Sequence, residues 1–317
     1  MVDQTYLTAS NLKVAVVGTG AVGGLLAACL ANAGNQVSVA DENPELLGAM
    51  RKYGLRIHGK LDLLAKLAGV YQGLDILQHG PYDLVVLVLK VPVLASLSSE
   101  IAKADNPKTN YLVACNGVGS ENALIENLGP KRVHRAVLNL AAGIEEPGVV
   151  HLVSLMGDSL VGPCYPARFD VSEEIAKQLS KGQLVTHAVE DIQSRVWQKT
   201  ILNASLSALC SVTNLTMKAV LSHEDGHEIM LRTLREAIEV AKAKGIELPN
   251  GFFEDSVAYL KRGGDHYPSM HSDLVNGHEI EIEYINAPIV ATGEQCGVPT
   301  PYNRALTSLV RLLRDHR

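Results

Sequence analysis

The spacing of apolar positions changes character once along the chain. As far as residue 189, short runs of aliphatic and β-branched residues alternate with stretches of helical period. Such runs are the mark of buried strands. Val14–Val17, Gln36–Ala40, Asp83–Leu89 and Tyr111–Ala114 read as strands, and Leu55–His58 and Gly69–Tyr71 as two weaker ones. Val133–Leu140, Val149–Val153, Ser159–Val161 and Leu184–Val189 complete the set. Between them Ala21–Ala33, Pro92–Lys103, Ser120–Asn127 and Val171–Lys181 have helical patterns, with Ser120 a suitable N-cap. After Glu190 strand signals nearly vanish. Asp191–Cys210, Asp225–Lys244, Phe253–Lys261, Glu281–Cys296 and Asn303–Asp315 all read as helices. Gly245 with Pro249, and Gly297 with Pro299, end two of them, and Pro288 is expected to kink or displace a third. The pattern therefore predicts two domains: residues 1–189, an α/β doubly wound sheet, and residues 190–317, all-α.

The first strand runs into Gly18-Thr19-Gly20-Ala21-Val22-Gly23, a G-x-G-x-x-G turn that opens a helix. Each glycine has its own reason. Gly18 permits the tight turn, Gly20 lets a pyrophosphate approach the backbone, and Gly23 lets the helix pack closely on the strand. The free N–H groups and positive dipole end of that helix would face the phosphates. Asp41 ends the second strand, twenty-three residues after Gly18. A carboxylate there can accept from adenosine ribose hydroxyls, or it can cap the short helix that starts near Pro44. Lys90 follows the Asp83–Leu89 strand and Asn116 follows Tyr111–Ala114. Both stand on the carboxyl side of the sheet, where ligands bind in open α/β folds.

Composition narrows the partners. A hydrophobic fraction of 47% in 317 residues supplies full cores, and a net charge of −6 argues against general nucleic-acid binding. No apolar run is long enough to span a bilayer, and Met1–Asn11 lacks the apolar core of an export signal. The five cysteines, Cys29, Cys115, Cys164, Cys210 and Cys296, are odd in number and scattered. That suits reduced cytoplasmic thiols, with Cys29 and Cys210 as small core residues, and offers no metal-ligand spacing.

In the helical half, Lys199, Asn203 and Ser207 recur every four residues and share one helix face. A lysine flanked by an amide and a hydroxyl can hold a substrate and deliver a proton. The same spacing also suits an exposed lysine on an amphipathic helix. Ser269, in Pro268-Ser269-Met270-His271-Ser272-Asp273, can bind a carboxylate at a helix start. Composition does not separate Glu281 from Glu283 in Glu281-Ile282-Glu283-Tyr284-Ile285-Asn286.

Taken together, GTGAVGG, Lys90, Asn116-Gly117-Val118-Gly119, Val196-Trp197-Gln198-Lys199 with Asn203, Pro268-Ser269-Met270 with Asp273, Glu281 to Asn286 and Gly297-Val298-Pro299-Thr300-Pro301 resemble the ketopantoate reductase (2-dehydropantoate 2-reductase) family, over nearly the whole chain after Asn11. The resemblance implies a Rossmann domain followed by a helical domain, with the site in the cleft between them. It implies hydride transfer from a nicotinamide to the ketone of a 2-oxo acid, as in pantothenate biosynthesis. It makes Lys199 the general acid, places Glu281 near it, and makes Asn203 and Ser269 substrate-binding residues. It sets Lys90 and Asn116 near the nicotinamide end and the substrate. The partners are then a small-molecule 2-oxo acid and, compatibly, a second copy of the chain.

Two positions depart from the family pattern. Ser207 stands where many members have asparagine, so the acyl side of the substrate would be held differently. Asp41, followed by Glu42, stands where the family commonly has an arginine that meets the 2′-phosphate of NADPH. The resemblance therefore implies NADP, whereas Asp41 favours NAD unless Arg51 or Lys52 reaches the phosphate. Two competing classes are an opine- or 3-hydroxyacid-type dehydrogenase and a non-catalytic dinucleotide-binding regulator. The latter need not keep Lys199, Asn203, Ser269 and Glu281 together.

Overall fold

The computed structural model describes residue 7, residues 11–262 and residues 264–316. The chain divides into two compact units. One is built from the chain up to Cys115 and from Glu121–Ile192, and the other from Asn116–Ser120 and from Gln193 onward.

The first unit holds two sheets. In chain order its strands are β1 (Lys13–Val17), β2 (Gln36–Asp41), β3 (Leu55–Gly59), β4 (Leu63–Ala65), β5 (Gly69–Gln72), β6 (Leu84–Leu87), β7 (Asn110–Val113), β8 (Val133–Val137), β9 (Leu140–Glu146), β10 (Val149–Leu155), β11 (Ser159–Pro163) and β12 (Thr186–Ala188). Its helices are α1 (Ala21–Asn32), α2 (Pro44–Tyr53), α3 (Val91–Lys103), α4 (Asn122–Leu128) and α5 (Phe169–Lys181). The larger sheet runs β12-β11-β8-β7-β6-β1-β2-β5. Its strands from β5 to β8 are parallel, and β11 turns antiparallel to β8. β1 lies between β2 and β6, with Val14 opposite Val37 on one side and Leu84 on the other. The winding reverses at that point, so β1 and β6 flank the topological switch, where open sheets bind ligands.

The second sheet, β4-β3-β10-β9, was legible only in part. The run Val133–Leu140 is not one strand: β8 ends at Val137, and β9 starts at Leu140 in the other sheet. Between them the Asn139 side chain donates to the Asp158 carbonyl. The reason for this sheet lies in α1, whose residues from Gly23 to Leu30 are all buried. A helix that is apolar on every side needs cover on every side. It packs against the main sheet and also against the smaller one, where a Cβ at Gly24 would meet the Val150 side chain at 3.1 Å. Ser120 does not cap α4; Glu121 holds the N-cap position, and its side chain makes no cap bond.

The second unit is helical: α6 (Ile192–Thr213), α7 (Met217–Ser222), α8 (Glu224–Ala243), α9 (Phe252–Lys261), α10 (Ser269–Val275), α11 (Ile282–Cys296) and α12 (Pro301–Asp315). Trp197, Ile201, Met230, Leu234, Ile282 and Ile289 lie in its core. α11 continues through Pro288, and Gly297 ends it in the left-handed conformation at φ +70°. A buried polar network crosses this core. Glu236 on α8 accepts from the Tyr302 and Asn303 N–H groups at 2.8 and 2.9 Å, capping α12. Asn286 on α11 donates to Asn303 and to the Ala204 carbonyl on α6, at 3.1 and 3.0 Å. Among the described residues no helix is long and apolar enough to cross a membrane.

Candidate active site

The glycine turn after β1 fulfils three different steric demands. Gly18 has φ +87°, and a Cβ there would lie 2.3 Å from the Val88 carbonyl oxygen. At Gly23 a Cβ would fall 1.8 Å from the Gly18 carbonyl oxygen, so α1 sits directly on the turn. Gly20, the N-cap of α1, is the opposite case: a Cβ would meet no atom within 4 Å. The side of Gly20 that a Cβ would occupy is therefore open, at a helix N-terminus. With the switch point beside it, this is the geometry a pyrophosphate requires.

Asp41 is tied into this turn. Its Oδ2 accepts the Thr19 N–H at 2.7 Å and the Thr19 hydroxyl at 3.2 Å. Its Oδ1 accepts the N–H groups of Glu42 and Asn43 at 2.9 and 3.0 Å. Asn43, not Asp41, caps α2, accepting from Glu45 and Leu46. The Glu42 carboxylate lies against Gly73 and 3.5 Å from the Gln72 amide. Arg51 and Lys52 are in the last turn of α2, most of a helix length from Asp41. Arg51 donates to the Val70 carbonyl at 3.2 Å, and Lys52 lies over the Tyr53 ring. Lys90, half-buried, is the N-cap of α3, three residues beyond the end of β6.

The remaining candidates belong to the helical unit, including one that sequence order assigns to the first half. Residues 116–120 leave the sheet and join the helices. The Val118 N–H donates to the Tyr284 carbonyl at 2.8 Å. Gly117, at φ +87°, lies so close to Tyr284 that a Cβ would be 2.4 Å from its carbonyl oxygen. This seats Asn116 beside the start of α11, where its amide lies 3.3 Å from Glu281 Oε2. Glu281 is the N-cap of α11 and is only 6% exposed. Its neighbour Glu283 is instead taken up by Arg311 and Arg314 on α12, which hold its carboxyl below the usual carboxylate range. The structure thus separates two glutamates that composition could not.

Lys199 and Asn203 are half-buried and Ser207 is buried along one row of α6. At 1.5 Å rise per residue, each step of four is about 6 Å. Ser269 is exposed at the first position of α10. Its segment is pinned by His271, whose Nε2 lies 2.7 Å from Asn214 Oδ1 and whose ring stacks on Tyr267 at 3.9 Å. Sequence reasoning gave Asn286, Asn303 and Glu236 no role. Their signal was polar residues recurring inside apolar helical stripes, which local pattern alone cannot distinguish from solvated positions.

Fold and side chains define a class: a protein with a dinucleotide-type parallel sheet and a helical unit that bears lysine, amide and carboxylate groups. Comparison with known proteins is more specific. Residues 14–164 match the family model of ketopantoate reductase PanE/ApbA, and residues 191–314 match that of its C-terminal domain. The chain belongs to the ketopantoate reductase family. It is 28% identical over 304 residues to a 2-dehydropantoate 2-reductase of Streptococcus pyogenes, covering 94% of this chain and 97% of the other. A solved PanE/ApbA family ketopantoate reductase from Ralstonia eutropha JMP134 superposes with a TM-score of 0.85 at 27% identity, covering 96% of this chain and 99% of the other. A D-mandelate dehydrogenase solved with NADH and anilino(oxo)acetate gives a TM-score of 0.85 at 26% identity, with the same coverage.

Proposed function

We propose that this protein reduces the ketone of 2-dehydropantoate, or of a related branched 2-oxo acid, to the 2-hydroxy acid with a reduced nicotinamide dinucleotide. The observation that carries the reading is the glycine turn, closed by packing at Gly18 and Gly23 and open at Gly20. The names of the relatives supply the substrate class. In this reading the domain of residues 1–189 binds the dinucleotide and that of residues 190–317 carries the acid–base groups, in the cytoplasm, where free cysteines persist.

The fit of the dinucleotide is steric. Gly20 leaves the space on its Cβ side empty, and the N-terminus of α1 supplies the positive dipole end. Gly18, Thr19, Gly20, Ala21, Val22 and Gly23 would hold the phosphates and Asp41 the ribose, with Lys90 and Asn116 toward the nicotinamide. When bound, the nicotinamide supplies the hydride that the ketone carbon receives. The chain's own residues handle the charge and the proton. The Lys199 ammonium stabilises negative charge growing on the substrate oxygen and then protonates it. Asn203, Ser207 and Ser269 donate to the substrate's polar groups. Glu281, held by Asn116, orients the lysine and the substrate through hydrogen bonds. Ser207 is shorter than asparagine and has no amide. It therefore leaves more room on the acyl side, which suits 2-oxo acids other than ketopantoate.

We read NADH as the preferred reductant. The turn after β2 presents Asp41 and Glu42, and the cations Arg51 and Lys52 stand at the far end of α2, where they make other contacts. A carboxylate accepts from a free 2′-hydroxyl and repels a 2′-phosphate. The test is a screen of 2-oxo acids with NADH and with NADPH, following nicotinamide absorbance. Ketopantoate or a branched analogue should give the highest kcat/KM, with NADH favoured. No turnover with any 2-oxo acid would refute the proposal, and a clear preference for NADPH would refute the reading of Asp41.

A further inference from the structure

We propose that Asp41 also braces the phosphate-binding turn, so that replacing it costs both cofactors, whereas cofactor choice alone is moved at Glu42. The inference rests on the glycine turn being the dinucleotide site. Its observations are four hydrogen bonds to one carboxylate. Oδ2 takes the Thr19 N–H and hydroxyl, in the middle of the glycine turn. Oδ1 takes the N–H groups of Glu42 and Asn43, at the entry to α2. One side chain therefore joins the β1–α1 turn to the β2–α2 turn. Thr19 is 1% exposed, so water cannot readily replace the carboxylate there. The turn is also tied at its backbone, where the Gly18 N–H donates to the Ala40 carbonyl at 2.8 Å. Residues 40 and 41 thus hold consecutive N–H groups of the turn and fix the direction in which Gly20 faces.

An arginine at position 41 has no acceptor and would leave the N–H groups of Thr19, Glu42 and Asn43 without their partner. Asparagine is informative for the same reason. Its single oxygen can serve Thr19 or the Glu42–Asn43 pair, while its amide meets N–H donors on the other side. Glu42 has no such duty. Its exposed carboxylate lies against Gly73 and 3.5 Å from the Gln72 amide, and accepts no backbone bond among those described. Replacing it changes the charge beside the ribose position and leaves the turn intact.

The experiment measures NADH and NADPH dissociation constants by nicotinamide fluorescence, and backbone hydrogen exchange over the Thr19 segment without nucleotide. The brace predicts that Asp41→Asn weakens both cofactors about tenfold or more and speeds exchange at Thr19. It predicts that Glu42→Arg keeps the exchange of the wild type and moves the NADPH/NADH affinity ratio upward about tenfold. If Asp41→Asn weakens NADH alone and tightens NADPH, or leaves exchange unchanged, Asp41 selects charge only and the brace is wrong. Should Asp41→Asn fail to fold, Thr19→Val removes the hydroxyl contact alone. Faster exchange in that variant supports the brace, and unchanged exchange overturns it. If the wild type binds neither cofactor, the reading of the turn fails and the proposal with it; the exchange data separate that failure from the loss of the brace.

Discussion

The side chains of Asn116 and Glu281 meet at 3.3 Å, although 165 residues separate them in the chain. The contact exists because Asn116 leaves the sheet with Gly117 and Val118 and docks on Tyr284 at the head of α11. A hydrogen bond to a charged group contributes about 1.5–3 kcal/mol. Asn116→Ala should therefore lower kcat/KM for the 2-oxo acid by roughly ten- to a hundredfold, with NADH binding changed much less. Glu281→Gln, which keeps the shape but not the charge, should lower kcat more than it raises KM. Steady-state kinetics on both variants check this, and wild-type values for Asn116→Ala would remove the pair from the site.

Gly20 and Gly23 should respond to the same substitution in opposite ways. Gly23→Ala would drive a Cβ to 1.8 Å from the Gly18 carbonyl oxygen. A loss of roughly 3 kcal/mol or more, or no folded protein, is expected. Gly20→Ala meets no atom within 4 Å and should keep a near-wild-type Tm. Its added methyl group enters the phosphate space, so NADH affinity should drop about tenfold or more. Thermal melts and calorimetric titrations of the two variants separate steric cost from ligand loss.

Lys199→Ala should lower kcat about a hundredfold or more, the usual cost of a lost general acid. The cofactor dissociation constant should stay within about twofold, because the glycine turn is built from other residues. Near-normal turnover on the preferred acid would exclude Lys199 from the proton transfer.

His134 on β8 predicts a specific loss of stability in acid. Burial, with the Arg168 charge, pushes its imidazole pKa from 6.5 down to about 3. Its Nδ1 lies 2.8 Å from the Ser172 hydroxyl, and Nε2 is buried without a partner among the described residues. The unfolded chain protonates this ring below about 6.5, while the folded chain resists until about 3. Between those values the unfolded state binds more protons, so the stability present at higher pH is lost as pH falls. Urea unfolding at pH 8 and pH 5 should show the decline. His134→Gln, with no proton to take up, should show a shallower one even if it is less stable at pH 8.

Thiol chemistry should single out one cysteine. Burial pushes Cys29 and Cys210 each up to about 12, burial with the Glu121 charge raises the partly exposed Cys164 to about 12, and Cys115 is buried, while Cys296 is exposed at the end of α11. Native protein at neutral pH should take up one equivalent of a maleimide promptly, and Cys296→Ser should abolish that uptake. Cys29, Cys115 and Cys210 should react only on unfolding, and Cys164, raised to about 12, should react far more slowly than Cys296.

The sequence by itself determined the features set by neighbouring residues. Most of the order of strands and helices followed from apolar period, although β4 and α7 carry too short a pattern to be read, and the tight packing at Gly18 and Gly23 followed from their spacing around one turn. Buried thiols at Cys29 and Cys210 followed from their apolar helices. The tertiary structure alone decided what depends on distant partners. β3 pairs with β10 across about ninety intervening residues, and no local period announces which sheet a strand will join. The break at Leu138-Asn139 was hidden because both halves of the run are equally strand-like. Glu281 and Glu283 carry the same charge on one short segment. Only the arrival of Asn116 at the first, and of Arg311 and Arg314 at the second, gives them different environments. Asp41 was legible as a carboxylate at the end of β2, but its bonds to Thr19 depend on two turns being brought together by the parallel pairing of β1 with β2. Hydrogen-bond partners far apart in sequence are chosen by packing, and packing is a property of the whole core rather than of any window of the chain.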